Sequence, residues 1–371
     1  MRRVTGRAVF LCAATTVAGF GSNAFSSNAG LSSLGLVCAS GIAIVYLTSV
    51  FLLPAWWRRA SAEPSAKGGE HQAAGNAPAS PSSLYQHGLW RLGLAVVRTL
   101  PAWLVNGCCL LVAELHFRIE RPRRDVVVQN LLPAVSGNRL LAERTARRLY
   151  RNFSLKLADL WRVESGMPVH NWITHDEEQE IIRAACKRGR GVLFLTPHLG
   201  NWEHGGLLLA QMGIKLTVLT QPEPEDSLTD LRSASRARWG METLIVGRDA
   251  FALVEVIKRL QDGAALAITI DRPPERSEEL VNLFGQPFKV SLVAAELARA
   301  SGCALVGVTV VRRPKGYAVR VLPEFVYDRA ALGNKKARGE LTRQIMRAFE
   351  PEIREHLDQW YQFIPVWPAA A

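Results

Sequence analysis

The residues best suited to chemistry lie in the segment FLTPHLGNWEHGG, where Glu203 follows His198 by five positions. An imidazole takes up and returns a proton near neutral pH. A carboxylate held against one ring nitrogen fixes the tautomer and stabilises the charged form. The chain contains no G-x-S-x-G motif, so it lacks the elbow that presents a serine nucleophile. We therefore predict that His198 and Glu203 activate a hydroxyl group of a substrate rather than a nucleophile of the protein.

The turn after His198 suits the stabilisation of negative charge. Backbone amides near Asn201 and Trp202 begin the next predicted helix and could bind a developing oxyanion. A simpler alternative stays open, in which the histidine at a strand end is only hydrogen-bonded to a nearby acid. Zinc binding by His198 and His204 is disfavoured, because a spacing of six does not place two imidazoles on one helix face. We expect no metal and no cofactor.

Alternating strands and helices follow residue 190 and must position this pair. Apolar runs predict strands at 191–197, 215–220, 242–246, 264–270, 304–312 and 317–322, and helices at 201–212, 228–239, 249–261, 292–300 and 335–356. Continuous apolar strands separated by helices predict an α/β fold with a mostly parallel sheet covered by helices on both faces. Ligands of such sheets bind beyond the carboxyl ends of the strands, which here are the loops 197–203, 221–226 and 271–274.

The N-terminal part has the composition of a membrane segment. Residues 8–57 contain no charged side chain and no histidine, and a small, polar stretch at 21–30 separates apolar runs at 8–20 and 31–54. Arginines at both outer ends predict a membrane hairpin over 1–59 with both ends in the cytoplasm; a cleaved signal peptide is the alternative. Residues 60–83 are rich in Ala, Ser, Gly and Pro and predict a flexible linker, which leaves 84–371 as the main domain.

The charge balance favours an anionic partner. The chain carries 45 Lys and Arg against 33 Asp and Glu, a net charge of +12, and arginines cluster at 118–124 and 144–151. This pattern suits lipid headgroups or an acidic carrier protein, and no nucleic-acid-binding signature accompanies it. The apolar, arginine-bearing segment 84–117 predicts either a helix lying in the membrane interface or a helical hairpin packed on the domain. The six cysteines lack metal-site spacing and indicate reduced thiols.

The segment RGVLFLTPHLGNWEHGG resembles the H-x4-D/E block of glycerolipid acyltransferases, and among them the bacterial lipid A biosynthesis acyltransferases, the lauroyl and myristoyl transferases. The blocks RLYRNFSLKLADLWR, ITIDRPPERSEELVNLFGQPFKVSLVAAELARASGCALVGV and LDQWYQFIPVWP extend the resemblance over about 84–368. It implies a glycerol-3-phosphate acyltransferase-like fold with His198 as general base and Glu203 as its charge partner. It also implies oxyanion- or substrate-binding roles for Asn201, Asp271 and Arg272, and a contact of Arg236 with phosphate or sugar of the acceptor.

Two departures bear on the acceptor. The usual Tyr-Arg-Pro of that family is Thr220-Gln221-Pro222 here, followed by the acidic residues Glu223, Glu225 and Asp226. This part looks more like the related acyltransferases that act on mannosylated phosphatidylinositol. The ending also lacks the basic residues of the lipid A enzymes. Separately, the stretch 20–57 resembles the last membrane helices of resistance–nodulation–division exporters.

The resemblance implies a membrane-bound O-acyltransferase at the cytoplasmic face of a bacterial inner membrane. We expect it to transfer a long acyl chain from an acyl-carrier-protein thioester, or from acyl-CoA, to a hydroxyl of a lipid A precursor or related glycolipid, as in lipopolysaccharide biosynthesis. Alternatives are an acyltransferase for a non-phosphorylated or mannosylated glycolipid, a thioester or lipid hydrolase, and an inactive tether of an exporter complex.

Overall fold

A computed structural model describes residues 15–23, 25–47, 87–167, 172–173, 176–223, 225–246, 252–272, 278–314 and 316–368. The chain divides into two compact units, 1–74 and 75–371. In the first unit, residues 15–23 are helical and helix α1 spans Ala29–Leu47. The membrane hairpin predicted over 1–59 is not confirmed, because 1–14 and 48–59 lie outside the described residues, as does the predicted linker 60–83.

The second unit alternates helices and strands after an all-helical beginning. The helices are α2 (His87–Thr99), α3 (Ala102–Ile119), α4 (Arg121–Leu131), α5 (Arg139–Glu164), α6 (Asp176–Lys187), α7 (Trp202–Gln211), α8 (Asp226–Arg238), α9 (Ala252–Gln261), α10 (Val293–Ser301) and α11 (Lys335–Glu355). The strands are β1 (Trp172–Ile173), β2 (Val192–Thr196), β3 (Leu216–Thr220), β4 (Glu242–Ile245), β5 (Ala265–Thr269), β6 (Glu278–Leu283), β7 (Gln286–Ser291), β8 (Ala304–Arg313) and β9 (Gly316–Val321).

Seven of these strands form one sheet in the order β1-β9-β8-β2-β5-β3-β4. Every neighbouring pair in it is parallel except β8 and β9, which are antiparallel. Strands β6 and β7 form a separate antiparallel hairpin, which the sequence pattern did not predict. The sheet therefore confirms the predicted mostly parallel α/β architecture.

The central strand β2 shows why both faces of the sheet are covered. Its sequence is VLFLT, and alternate side chains of a strand point to opposite faces. Leu193 and Leu195 belong to one hydrophobic cluster, whereas Val192 and Phe194 belong to a second one. All four are buried. A strand buried on both sides has a continuous apolar sequence, and its carboxyl end is the place where polar side chains can emerge.

Helix α3 is the one helix, within the described part of the chain, that is long and apolar enough to cross a membrane. Few of its residues are buried in the protein. Its exposed side chains include Trp103, Leu111, Val112 and Ile119. Helix α3 packs on α5 through Val105 and Ala113, which are buried. The helix is thus attached to the domain along one side and presents apolar side chains on another.

Candidate active site

The site is built around an imidazole and a carboxylate that come from adjacent parallel strands. His198 follows β2 and Asp271 follows β5, and these two strands pair in register. The Nδ1 atom of His198 lies 2.5 Å from Oδ1 of Asp271. The backbone N–H of His198 also donates to this carboxylate, at 2.9 and 3.0 Å. Because Nδ1 is engaged, Nε2 on the opposite side of the ring is left for a substrate.

The C-terminal segment holds this carboxylate in place. Trp360 Nε1 and Gln362 Nε2 donate to Oδ2 of Asp271 at 3.0 and 2.6 Å. Arg272 in turn donates to the side-chain oxygen of Gln362 at 2.9 Å and to the carbonyl oxygen of Tyr361. The backbone N–H of Tyr361 donates to the carbonyl oxygen of His198 at 2.9 Å. The C-terminal segment therefore fixes both members of the pair.

The turn between His198 and α7 requires glycine at position 200. Gly200 has a φ of +61°, which side chains with a Cβ rarely adopt, and a Cβ there would collide with the carbonyl oxygen of Val310. Its N–H donates to the carbonyl oxygen of Gln359 at 2.9 Å. This tight approach to β8 and to the C-terminal segment sets the direction in which α7 begins.

Burial and a neighbouring cation favour the neutral form of the imidazole. Burial lowers the pKa of His198 below its ordinary value of 6.5, and the Arg272 guanidinium lowers it further, while the Asp271 carboxylate opposes both. Burial alone would raise the pKa of Asp271, but the imidazole and backbone N–H of His198 and the Arg272 guanidinium together outweigh burial and keep that pKa below its ordinary value. A neutral imidazole oriented by a carboxylate is the form that accepts a proton from a hydroxyl group.

The structure corrects the partner predicted for His198, which is Asp271 and not Glu203. Glu203 accepts instead from Arg232 at 2.6 Å and from Arg236 at 2.8 and 3.1 Å. Burial alone would raise the pKa of Glu203, but the charges of Arg236 and Arg232 hold it far below its ordinary value. The spacing of five places Glu203 in the first turn of α7, where its carboxylate meets α8 rather than the imidazole.

The same ion pairs correct the prediction for Arg236. Its guanidinium is buried, and three of its donors are directed to Glu203 and to Oγ1 of Thr243. Arg232 likewise pairs with Glu203 and Glu223. Arg236 is therefore committed to a carboxylate of the protein and is not presented to an acceptor. Glu223, which the sequence analysis counted as an acidic loop residue, is neutralised by Arg232.

Asn201 does not occupy the position expected of an oxyanion contact. The residue is buried, its N–H donates to the carbonyl oxygen of Val310 at 2.7 Å, and its Nδ2 donates to the Tyr317 hydroxyl at 3.2 Å. Asn201 thus joins α7 to β8 and β9. Trp202, the first residue of α7, lies beside the imidazole instead, with ring centroids 5.0 Å apart in an edge-to-face arrangement.

Three residues of the site were not predicted from the sequence: Lys156, Trp360 and Gln362. Lys156 lies on α5, 3.0 Å above the ring of Trp202. All three lie in sequence blocks that resemble the acyltransferase family. This resemblance is the one feature of the sequence from which they could have been predicted. No group of three or more His, Cys, Asp or Glu side chains could hold a metal ion within the described part of the chain.

Comparisons with known proteins identify the family of the chain. A sequence model described as "Bacterial lipid A biosynthesis acyltransferase" matches residues 83–368. A phosphatidylinositol mannoside acyltransferase of Mycolicibacterium smegmatis is 26% identical over 218 residues, which are 57% of this chain and 70% of that protein. A protein of the same name from Mycobacterium tuberculosis is 26% identical over 187 residues, 50% of this chain and 57% of that protein. The chain thus spans little more than half of the second relative.

One solved structure also aligns with the chain. The 1-acyl-sn-glycerophosphate acyltransferase PlsC from Thermotoga maritima has 11% identity and a TM-score of 0.30, covering 69% of this chain and 99% of that one. A score this low carries no conclusion about the site.

The arrangement predicts a structural role for Glu203. Glu203→Gln leaves the buried guanidinium group of Arg236 without its carboxylate and removes one of the carboxylates around Arg232. The free energy of unfolding should therefore fall by about 3–5 kcal/mol in denaturant titrations. The control is Glu278→Gln, which breaks an exposed pair with Lys289 and should cost about 1 kcal/mol or less. Equal stability of the two variants would contradict this role.

The pH dependence of transfer tests the partner of His198. The value of kcat/KM should fall as the pH drops through the pKa of His198. The midpoint of this fall, the acid limb of the pH profile, should lie below the ordinary value of 6.5 because the pKa of His198 is lowered. Asp271 raises the pKa of His198, and Asp271→Asn should therefore move the limb to lower pH. It should also lower the maximal rate by about 10²–10⁴-fold, since the tautomer is no longer fixed.

The control for this measurement is Glu203→Gln, assayed under conditions in which it is folded. Because Glu203 pairs with arginines, the acid limb of kcat/KM against pH should stay where it is in the wild type. A limb that moves in Glu203→Gln and not in Asp271→Asn would return the partner role to Glu203.

Proposed function

Because the chain belongs to the bacterial lipid A biosynthesis acyltransferase family, we propose that it transfers a long acyl chain from a thioester to a hydroxyl group of a glycolipid. The observation that carries this proposal is the pairing of His198 with Asp271 at the carboxyl ends of β2 and β5, with Nε2 left for a substrate. The pair supplies a general base without a protein nucleophile, which is what direct transfer between two bound substrates requires.

The reaction proceeds in two proton transfers at one nitrogen. Nε2 of His198 takes the hydroxyl proton as the acceptor oxygen attacks the thioester carbonyl carbon, and Asp271 stabilises the imidazolium that forms. The tetrahedral intermediate then collapses, the carbon–sulfur bond breaks, and Nε2 returns the proton to the departing thiolate. The products are an ester and a free thiol, and the histidine is neutral again.

The first acceptor to test is a mannosylated phosphatidylinositol. Two observations support this choice over a lipid A precursor. The relatives are named phosphatidylinositol mannoside acyltransferases. Thr220-Gln221-Pro222 also departs from the Tyr-Arg-Pro of the lipid A enzymes. A lipid A precursor and a non-phosphorylated glycolipid are the other acceptors of this class. The donor is an acyl-carrier-protein thioester or acyl-CoA, either of which is found in the cytoplasm.

The enzyme acts at a membrane surface, where we place it on the cytoplasmic face of the inner membrane. Helix α3 presents exposed apolar side chains, among them Trp103 and Leu111. At its end the Glu114 carboxylate is shared by Arg118, Arg147 and Arg151. One carboxylate for three guanidinium groups leaves an excess of positive charge beside an apolar face, a combination that suits an anionic bilayer.

The test of the reaction compares the wild type with His198→Ala. Both are incubated in membranes with labelled acyl-carrier protein or acyl-CoA and with phosphatidylinositol mannosides or a lipid A precursor, and products are identified by mass spectrometry. We expect a labelled glycolipid whose formation falls by about 10²–10⁴-fold in His198→Ala. Thermal unfolding of the two proteins is the control for folding.

The other outcomes are distinct. Transfer that is undiminished in His198→Ala overturns the mechanism. Release of free fatty acid at the same rate with and without acceptor identifies a hydrolase. Transfer to the lipid A precursor and not to the mannosides keeps the reaction and changes the acceptor, and no turnover with any pair of substrates favours a tether.

If α3 faces the membrane, loss of its exposed apolar side chains should weaken the use of an acceptor in vesicles more than that of an acceptor in detergent micelles. Trp103→Ser combined with Leu111→Ser removes two exposed apolar side chains, each worth about 1.5–3 kcal/mol when buried. The KM for acceptor in phosphatidylglycerol vesicles should rise at least about tenfold, since about 1.4 kcal/mol corresponds to tenfold. The KM for acceptor in detergent micelles should change much less.

Val326→Ser is the matched control for this prediction, because Val326 is an exposed apolar residue outside α3. It should behave as the wild type in vesicles and in micelles. Equal KM values for the double variant and for Val326→Ser in vesicles would exclude α3 as the contact.

A further inference from the structure

Lys156 is a buried amine without a direct carboxylate partner in the described part of the chain. The side chain is 2% exposed, on α5. Its ammonium lies 3.0 Å from the centre of the Trp202 ring, 5.2 Å from that of Tyr361 and 5.7 Å from that of Phe153. Within the part of the chain that the structure describes, it has neither a hydrogen bond nor an ion pair. Aromatic faces attract a cation, but they do not replace an anion.

The carboxylates closest in the fold are engaged with other donors. Glu203 is bound by Arg232 and Arg236. Asp159, one turn further along α5, accepts from Arg162 at 2.6 Å and from the Tyr317 hydroxyl at 2.5 Å. A buried ammonium without a direct carboxylate partner is costly. Burial holds the pKa of Lys156 well below its ordinary value, and the Glu203 carboxylate opposes this only in part. An anion that arrives with a substrate would remove this cost.

The position of Lys156 relates it to the reacting atoms. The ring of Trp202 carries the ammonium over its face and stands edge-on to the imidazole of His198, with centroids 5.0 Å apart. The charge of Lys156 is close enough to contribute to lowering the pKa of His198. Trp202 is half-buried, and so is Phe153, whose ring centre lies 5.7 Å from the ammonium. Asn201, the residue predicted to bind the oxyanion, is committed elsewhere.

We propose that Lys156 binds a negatively charged oxygen of the substrates beside His198. This inference rests on the proposed acyl transfer. Three substrate groups present such an oxygen. They are the thioester carbonyl as it becomes an oxyanion, a phosphate of the donor, and the phosphodiester of a phosphorylated acceptor. In each case the ammonium exchanges a contact with aromatic rings alone for a charge-assisted hydrogen bond.

Steady-state kinetics of Lys156→Met test the proposal. Methionine keeps an unbranched apolar chain over Trp202 and removes the charge. If the oxygen is the oxyanion, kcat should fall by about 10²–10³-fold with both KM values unchanged. If it belongs to the acceptor, the KM rises for a phosphatidylinositol mannoside but not for a mannolipid without phosphate. If it belongs to the donor, the KM rises for acyl-CoA but not for acyl-pantetheine.

Stability separates this role from a structural one. Removing a buried charge that has no direct carboxylate partner should leave the melting temperature of Lys156→Met equal to or above that of the wild type, although activity falls. Lys156→Arg, which keeps a cation that stacks on an aromatic ring, should retain more activity than Lys156→Met. Lys289→Met, at a half-exposed surface pair, is the control and should retain full activity. Kinetic constants of Lys156→Met equal to those of the wild type would overturn the proposal.

A binding measurement distinguishes a failure of this inference from a failure of the proposed function. Dodecyl phosphate carries a tetrahedral anion on an apolar chain, and calorimetry on the wild type and on Lys156→Met compares its affinity without turnover. We expect the Kd to rise at least about tenfold in Lys156→Met, the loss of one charge-assisted hydrogen bond. Equal affinity for both proteins counts against the anion site, whereas failure of His198-dependent transfer counts against the proposed function alone.

Discussion

A buried carboxylate at the carboxyl end of β5 organises the site. Asp271 cannot remain ionised in the interior without donors, and it receives them from the backbone and imidazole of His198 and from Trp360 and Gln362. These donors come from the β2 loop and from the end of the chain. The requirement to satisfy one carboxylate therefore brings together segments that are distant in sequence. The C-terminal segment therefore belongs to the candidate active site.

A second set of buried charges explains why the H-x4-E motif wrongly predicts Glu203 as the partner of His198. Glu203 lies close to His198 in sequence, yet two arginines of α8 neutralise it. Arg232 also lies 3.6 Å from Glu164 at the end of α5, and Glu164 accepts from the indole of Trp90 on α2. The network connects four helices around the start of α7. Its geometry holds Trp202 against the imidazole, so Glu203 supports the site through position rather than by contact.

The fold was more predictable than the site, for a physical reason. Local apolar patterns predict the buried strand at 192–196 and the helix at 202–211. The place of His198 in the site could be predicted because it lies between these two elements. The partner of His198 depends on strand order, because β5 lies beside β2 although 73 positions separate the two residues. The sequence analysis counted Asp271 among the substrate-binding residues, whereas its carboxylate contacts the imidazole of His198. It assigned Arg236 and Asn201 to the substrate because nothing local reveals that the protein itself occupies their donors.

A buried charge without a direct partner is as informative as the charges that are paired. Arg232, Arg236 and Glu203 neutralise one another, and Asp271 is matched by the donors around it. Lys156 differs, since its ammonium is buried against aromatic rings. A general base alone does not account for acyl transfer, because proton removal is accompanied by negative charge on the carbonyl oxygen. The transition state carries a positive charge on the imidazole and a negative charge on the carbonyl oxygen. Asp271, on the Nδ1 side of the imidazole, would stabilise the first, and Lys156, on the Trp202 side, would stabilise the second.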